Sequence, residues 1–161
     1  MSNSSDDTFS PKTEVWHGDK EIFKKLLEEL AGVKIRYDSI VDQNGPSIIF
    51  NNEFVIQAYI DIINRGCKIR LITEISANNI SYCKILSKLL ELRHFDEIKG
   101  NLGIVDGLRY GASARSEEKK FPTEYIYSTV KSFVEQQQLF FETYGINRYL
   151  PNKELKKLKK A

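Results

Sequence analysis

Helical and strand-like hydrophobic patterns follow one another from residue 19 to residue 114 of this chain. KEIFKKLLEELAG has apolar residues at helical spacing between Asp19, a candidate N-cap, and Gly32. VKIRYDSIV then alternates like a strand, with Tyr37 among its apolar positions and Asp38 among its polar ones. The segment 48–66 is mostly helical, and CKIRLITEI is the most apolar strand candidate. This alternation predicts an α/β fold in which helices flank a central mixed sheet.

The second half of the chain continues the pattern with shorter elements. Residues 76–79 have cap chemistry, which predicts a helix over ISYCKILSKLLELR that ends at Arg93 and His94. HFDEIKG, NLGIVDG and RYGASA are short strand patterns, and Gly107 marks a tight connection between the last two. Pro122 then introduces a long C-terminal helix, EYIYSTVKSFVEQQQLFFETYG. The order predicts a parallel strand pair followed by an antiparallel hairpin.

Length and composition indicate one globular domain. The chain has 161 residues, of which 41% are hydrophobic and 29% are charged. Residues 1–12 have little to bury and predict a disordered leader before a domain over residues 13–145. Residues 146–161 are expected to form a basic C-terminal tail. The sequence has no apolar run that could span a membrane and no signal core near its N-terminus, so we expect a cytoplasmic protein without a membrane partner.

Positive charge is concentrated at the end of the sequence. Residues 152–161 contain five lysines and one glutamate, a net charge of +4, which leaves −2 for the remaining residues because the whole chain carries +2. Such a run indicates either a solvated terminal helix or an arm that contacts nucleic-acid phosphate.

Cysteine and histidine usage argues against redox and metal chemistry. Cys67 and Cys83 sit beside apolar patterned segments without metal-ligand spacing, so we expect reduced structural thiols rather than a redox pair. The chain has two histidines, His17 and His94, and a histidine-rich metal site would need both. We therefore expect neither a metal ion nor a cofactor.

The end of the strand CKIRLITEI is a candidate pocket. Thr73 and Glu74 end that strand, and Asn78 and Asn79 precede the next helix. In open α/β sheets ligands bind where strands end and helices begin. The alternative is that these residues only cap the helix. Arg93 and His94 have a similar alternative role, because polar or cationic side chains at a helix C-terminus can satisfy free carbonyl groups.

The stretch KGNLGIVDGLRYGASA resembles a phospholipase D half-site, whose signature is His-x-Lys, four residues, Asp, and later Gly-Ser. Asp106 occupies the aspartate position of that signature. Lys99 stands where the resemblance puts the nucleophilic histidine, Asn101 stands at the lysine, and Ser113 falls one residue early. A lysine amine, protonated near neutral pH, does not replace the imidazole nucleophile. The resemblance therefore implies a polar cleft wall of His94, Lys99, Asn101 and Asp106 that holds a ligand rather than cutting one.

A longer resemblance covers residues 13–144. The blocks TEVWHG, KIRLITEISANNISYCK, ELRHFDEIKGNLGIVD and IYSTVKSFVEQQQLFFETY together resemble the N-terminal sensory domain of sensor histidine kinases from ammonia-oxidising archaea. The plan is also similar to the degenerate phospholipase D-like effector domains of archaeal transcriptional regulators. The resemblance implies a cytoplasmic, non-catalytic domain whose last helix leads into phosphoacceptor helices. No phosphoacceptor histidine motif or glycine-rich nucleotide box follows residue 120, so we expect no autophosphorylation by this chain.

These patterns favour the hypothesis that the chain is a non-catalytic signalling module. It would bind a small ligand or a partner, form a homodimer, and act with a histidine kinase or a regulator. The predicted ligand-binding residues are Thr73, Glu74, Asn78, Arg93, His94, Lys99, Asn101 and Asp106. The predicted dimer or relay residues are Gln137, Phe140, Phe141 and Tyr144. We expect the first half of the last helix to pack on the sheet and its second half to be shared with a partner.

Two alternatives remain open from the sequence. The first is a nucleic-acid-associated transcriptional regulator whose lysines in residues 153–160 contact phosphate. The second is a phosphodiesterase assembled from two half-sites in a dimer, with Lys99 and Asp106 required for turnover.

Overall fold

A seven-stranded mixed sheet forms the centre of the molecule. The computed structural model describes residues 10–115 and 120–146. Its strand order is β1-β7-β6-β5-β2-β3-β4, in which β2, β3 and β4 are parallel and the other pairings are antiparallel. The predicted α/β class, the parallel pair β2 and β3, and the β5–β6 hairpin are confirmed. In chain order the elements are β1 Thr13–His17, α1 Asp19–Ala31, β2 Arg36–Val41, α2 Gly45–Asn51, α3 Glu53–Asn64, β3 Lys68–Thr73, α4 Ile80–Leu89, β4 Glu91–His94, β5 Gly100–Val105, β6 Arg109–Ala114, β7 Glu124–Ser128 and α5 Lys131–Ile146.

Helices cover both faces of this sheet. Successive strand residues point to opposite faces, so Leu71 and Ile72 of β3 pack in different cores. Leu71 packs with Leu30 of α1 and Ile62 of α3, in a core that also includes residues of α2 and α4. Ile72 packs with Phe141 of α5. Helices α1 to α4 therefore lie on one face, called the four-helix face below, and α5 lies on the other, called the α5 face.

The predicted end of the helix over ISYCKILSKLLELR is wrong. Helix α4 ends at Leu89, and Leu90 is already extended. Arg93 and His94, expected at a helix C-terminus, belong instead to the edge strand β4, which pairs in parallel with β3. Leu92 packs against the core of the four-helix face. The leucine spacing suits a helix, but strand pairing and burial of Leu92 override that local preference.

The predicted start of the last helix is also wrong. EYIYS forms strand β7, and α5 begins only at Lys131. Tyr125 and Tyr127 are buried while Ile126 between them is 47% exposed, which is strand alternation. Strand β1, which pattern reading did not assign, pairs with β7 and buries Trp16 against both tyrosines. Aromatic side chains two residues apart fit a pleated surface better than a helix.

Smaller differences concern element boundaries. The segment read as mostly helical breaks at Asn52, whose side-chain oxygen accepts hydrogen bonds from two backbone N–H groups of α3, at 3.1 and 3.2 Å. Within that segment Phe54 is exposed and its neighbour Val55 is buried. Asp19 is the first residue of α1 rather than its N-cap, which is Gly18. Of HFDEIKG, only the first residue lies in β4 and the last in β5.

The termini are only partly described. Residues 1–9 of the predicted leader and residues 147–161 of the predicted tail, including the lysines, lie outside the described residues. Lys12, assigned to the leader, is held at the sheet, because its backbone N–H donates to the Thr129 hydroxyl at 3.0 Å. Across the described ranges, no helix combines the length and apolar character that crossing a membrane requires.

Candidate functional site

A polar cluster lies at the end of the sheet where the parallel strands finish. Asn101, at the start of β5, accepts a hydrogen bond from the backbone N–H of Asp42 at 3.1 Å. Its amide nitrogen donates to the Asp42 carboxylate at 3.2 Å, to the Ser113 hydroxyl at 3.3 Å and to the carbonyl oxygen of Ala114 at 3.1 Å. Asp42 is fully buried directly after β2. We call Asp42, Asn101 and Ser113 the edge cluster; it joins β2, β5 and β6.

Thr73 and Asn79 fasten the loops that follow β2 and β3. The buried Thr73 hydroxyl donates to the carbonyl oxygen of Asp42 at 3.1 Å, which connects it to the edge cluster. The Asn79 amide nitrogen donates to two loop carbonyl oxygens, one of them Glu74, at 2.9 and 2.8 Å. Asn78 is exposed. Asn79 is the N-cap residue of α4 by position, but its side chain makes no capping hydrogen bond and fastens the loop backbone instead, so the capping alternative is wrong for this residue. Thr73 and Glu74 lie beside this end of the sheet.

His94 has both ring nitrogens engaged inside the protein. Its Nδ1 accepts a hydrogen bond from the backbone N–H of Ile75 at 2.9 Å, and its Nε2 lies 2.6 Å from a carboxylate oxygen of Asp96. An acceptor Nδ1 assigns the neutral tautomer with hydrogen on Nε2, which then donates to Asp96. Neighbouring Arg93 forms an ion pair with Glu91 of the same strand. His94 thus connects β4 to the loop after β3 and to the loop that follows β4, whereas the Arg93–Glu91 pair lies within β4.

The histidines and cysteines do not assemble into a site within one chain. His17 is on edge strand β1 and His94 is on the opposite edge, six strand spacings or about 29 Å away. In the described part of the chain, no group of three or more histidine, cysteine or acidic residues is placed to hold a metal ion. Cys67 and Cys83 are free thiols. Burial raises the pKa of Cys83 to about 12, which makes its thiolate inaccessible near neutral pH.

Asp106 lies away from the other predicted ligand residues. It occupies the turn after β5, whereas Asn101 is at the other end of that strand, about 17 Å away at the usual rise per residue. Its carboxylate accepts hydrogen bonds from the backbone N–H groups of Lys34, Ile35 and Arg36, at 3.1, 2.8 and 2.9 Å. Burial acts to raise the pKa of Asp106, but these hydrogen bonds outweigh it and lower the pKa. The expected cleft wall that included Asp106 is therefore wrong.

Lys99 lines a cavity of about 370 Å³ on the α5 face. Ile40 and Ile72 form part of its wall, and Tyr144 of α5 lines the same cavity. The Tyr144 ring meets Phe95 edge-on, with ring centroids 4.4 Å apart. A predicted ligand residue, Lys99, and a predicted relay residue, Tyr144, therefore share one cavity, which we call the Lys99 cavity.

An ionic network fixes α5 to the sheet. Asp38, buried in β2, accepts two hydrogen bonds from the Arg70 guanidinium at 2.6 and 2.7 Å and one from Arg36 at 2.8 Å. Arg70 also donates to Glu142 of α5 at 2.6 Å, and Gln138 of that helix donates to Asp38 at 3.0 Å. Hydrogen bonding to Asp38 is the main cause of a raised Arg70 pKa, so the guanidinium stays protonated. We call this the Asp38 network.

Helix α5 divides into two long faces rather than two halves. Val134 and Phe141 are buried against the sheet, although they lie in different halves of the helix. Phe140, next to Phe141, is 45% exposed. One flank of the helix, beside this buried side, carries Phe133, Gln137, Phe140 and Tyr144, which are partly to fully exposed and which we call the outer stripe. The expected split between a packed first half and a shared second half is wrong, because inward residues recur at helical spacing along the whole element.

The Asp38 network is the main feature that sequence reasoning missed. Strand alternation grouped Asp38 with the polar residues of β2, whereas it is buried and paired. A signal was present, since each of the two apolar parallel strands carries one central charge of opposite sign, and Asp38 pairs with Arg70 in the sheet register. A charge in a strand covered on both faces needs such a partner.

Comparison with solved structures identifies the architecture. Nuc from Salmonella typhimurium, a phospholipase D family member, matches with a TM-score of 0.69 and 11% identity, over 87% of this chain and 97% of that chain. NucT from Helicobacter pylori matches with a TM-score of 0.70 and 10% identity, over 86% and 98%. TrmBL2, an archaeal chromatin protein, matches with a TM-score of 0.61 and 17% identity, over 92% of this chain and 56% of that chain. No family model and no curated protein sequence matches. At these identities the likeness concerns the fold alone, and that fold is phospholipase D-like.

Proposed function

We propose that this chain is a non-catalytic regulatory module that binds a small ligand in the Lys99 cavity and transmits the change through α5. The observation that carries the proposal is that Lys99 and Tyr144 line the same cavity. A ligand there would contact the loop after β4 and the C-terminal part of α5 at once. The resemblance to sensory domains of archaeal histidine kinases supports the same direction, with a kinase or a regulator as partner.

The Lys99 cavity has the chemistry of an amphipathic site. Ile40 and Ile72 give it apolar walls, and Phe95 and Tyr144 add aromatic rings. Its exposed charged groups are the ammonium of Lys99 and the carboxylate of Glu97. Such a site fits a small molecule with an apolar body and an acidic group that pairs with Lys99, and Glu97 suits an additional amino group on the ligand.

Movement of α5 would follow from where that helix is attached. The Asp38 network holds α5 through the polar side chains of Gln138 and Glu142, whereas the last turn is attached by packing, with Tyr144 against the ring of Phe95 and buried Gly145 against Arg93. A ligand that displaces Tyr144 would therefore shift the end of α5 while its middle stays fixed. The outer stripe would carry the shift to a second subunit.

A thermal-shift screen of small carboxylates and phosphate monoesters tests the proposed site. A ligand at 100 times its Kd stabilises the folded state by about 2.7 kcal/mol. We expect the rise in Tm to disappear in Lys99→Met and to persist in Lys68→Met, a matched lysine at the opposite end of the sheet. Ligands whose effect is the same in both variants would contradict binding in the Lys99 cavity.

A turnover assay tests the non-catalytic part of the proposal. The chain carries Lys99 where the resemblance puts a nucleophilic histidine, and both nitrogens of His94 are engaged elsewhere. We expect no hydrolysis of bis(p-nitrophenyl) phosphate by the purified protein. Hydrolysis that is lost in Lys99→Ala would instead establish the dimeric phosphodiesterase.

A nucleic-acid-associated regulator is the second candidate. It is favoured by the five lysines of residues 152–161, and a chromatin protein is among the proteins of similar fold. The remaining residues carry a net charge of −2, so any phosphate contact would depend on those lysines.

A further inference from the structure

A second cleft lies on the four-helix face, on the other side of the sheet from the Lys99 cavity. It has a volume of about 110 Å³ and lies between α1, the α2–α3 region, the sheet and the segment that leads into β7. Leu30 and Ile49 are among its apolar walls, and Tyr37, Ser39 and Tyr59 contribute hydroxyl groups. Asn101 and Ser113 of the edge cluster also line it. Among the described residues that line it, Lys120 alone is charged, and that residue is exposed.

Two opposing glycines let tyrosine rings pack directly on the sheet at and beside the floor of this cleft. Gly103 of β5 and Gly111 of β6 lie directly opposite each other in the sheet register. A Cβ atom on Gly103 would come within 2.6 Å of the Tyr37 hydroxyl oxygen, and one on Gly111 would overlap the Tyr125 ring. The rings therefore rest directly on the backbone, where any larger residue would displace them. This places aromatic faces and hydroxyl groups at the base of the cleft.

The hydroxyl groups at the base form a neutral, acceptor-rich cluster. Burial raises the pKa of both Tyr37 and Tyr59, which also interact with each other and with Ser39 through hydrogen bonding. The phenols therefore stay uncharged near neutral pH. The Ser39 hydroxyl already donates its hydrogen to the carbonyl oxygen of Leu102 at 3.2 Å. Each hydroxyl has one hydrogen and two lone pairs, so three of them together hold more acceptor positions than hydrogens to fill them.

We propose that this cleft is a second binding site for a small, uncharged aromatic molecule that carries one hydrogen-bond donor. Its volume of about 110 Å³ is smaller than that of a closed cavity of about 150 Å³ that holds benzene, which limits a ligand in this open cleft to a single ring. The apolar base of the cleft disfavours a charged group, because Lys120, the one charged residue among the described lining residues, is exposed, and burying an unpaired charge is costly. A donor on the ligand would fill a free lone pair of the cluster. Phenol has this size, charge and donor count.

Phenol, toluene and benzoate form a matched set of probes. Toluene replaces the hydroxyl of phenol with a methyl group of similar size, and benzoate adds a charge. In NMR titrations of the full chain we expect phenol to shift the methyl signals of Leu30 and Ile49 and to leave those of Ile40 and Ile72 unchanged, because the latter line the Lys99 cavity. We expect weaker shifts with toluene and with benzoate, because the benzoate carboxylate would have to stay near the exposed Lys120 instead of reaching the hydroxyl cluster.

Two variants test the chemistry and the location separately. Tyr59→Phe removes one buried hydroxyl and should weaken phenol binding about five-fold without changing toluene binding. Tyr82→Phe is the control, because its hydroxyl contacts Asn51 away from the cleft. Ile48→Phe narrows the cleft without touching the cluster and should abolish phenol binding.

Three results would overturn the proposal. They are equal affinity for toluene and phenol, a Tyr59→Phe effect no larger than that of Tyr82→Phe, and methyl shifts confined to Ile40 and Ile72. Unchanged phenol binding in a folded Ile48→Phe protein would overturn it as well, and this variant decides the question if Tyr59→Phe does not fold. None of these readouts depends on Lys99, so the two sites are tested independently.

Discussion

Asp38 is a carboxylate in a buried position, where an unpaired charge would be unstable. A carboxylate with 1% of its surface exposed is stable only because Arg70 and Arg36 pair with it and Gln138 donates to it. Removing one partner of a buried ion pair leaves the other charge uncompensated, which costs more than the pair itself contributes.

We expect Asp38→Ala to lower the free energy of unfolding by about 3 to 5 kcal/mol, because Arg70 would remain half-buried without its main partner. Urea denaturation at neutral pH measures this loss. Glu135→Ala is the control, since the pair it forms with Lys131 is exposed and should contribute about 0 to 1 kcal/mol. Similar losses in the two variants would show that the Asp38 network does not hold α5 to the sheet.

Asp106 predicts how stability responds to acid. Its folded-state pKa lies below the ordinary 3.8, so its carboxylate stabilises the folded protein at higher pH, and this contribution is lost as the pH falls through the folded-state pKa. Urea midpoints measured from neutral pH downwards should therefore fall more steeply for the wild type than for Asp106→Asn, whose side chain does not titrate. Parallel pH profiles for the two proteins would contradict this role.

At the scale of elements, α5 offers the sharpest comparison, because Phe140 and Phe141 are adjacent and differ strongly in burial. Phe141 is fully buried, so Phe141→Ala should lower the free energy of unfolding by about 3 to 5 kcal/mol. Phe140→Ala should change it by less than about 1 kcal/mol, because its ring is 45% exposed. Urea unfolding separates the two.

The same pair tests the predicted homodimer. If the outer stripe is the contact between subunits, Phe140→Ala should convert a dimer into a monomer in sedimentation measurements while the fold persists. A wild-type protein that is already monomeric at high concentration would contradict the dimer, and a dimer unaffected by Phe140→Ala would place the contact elsewhere.

The sequence predicted long periodic elements well and short elements poorly. Helix α1 and strand β3 carry clear patterns of their own, and Gly107 marks the β5–β6 turn with a positive φ of 66°. Strand β4 has four residues, and their leucine spacing fits one turn of a helix equally well. Only pairing with β3 decides that this segment is a strand. Strand β7 was absorbed into α5 because its burial against Trp16 depends on a strand more than 100 residues earlier.

The candidate site was predictable only where strand order alone brings its residues together. Thr73 ends β3 and Asn101 lies at the start of β5. Strand order alone therefore predicts that the two residues lie at the same end of the sheet. Asp106 was grouped with Lys99 because the two are close in the sequence. Strand β5 lies between them and places them at its opposite ends. The Tyr37–Tyr59–Ser39 cluster draws on two separate elements, and no local pattern brings them together.

At the scale of the whole molecule, charge separates the two candidate functions. Because residues 1–151 carry a net −2, we expect any binding to duplex DNA to be weak, strongly salt-dependent and abolished by deleting residues 152–161. Electrophoretic mobility shifts at several salt concentrations measure this. DNA binding that survives the deletion would place a nucleic-acid surface on the described fold and favour the regulator.

The pairing of β1 with β7 also determines when, during synthesis, the sheet can be completed. The first strand of the sheet finds its partner only after residue 128 has left the ribosome, since Thr13 pairs with Ser128. Until then β1 and the outer edge of β6 both present unpaired backbone groups, which favour aggregation. Nascent chains stalled before residue 124 should therefore need chaperones, whereas chains released past α5 should not.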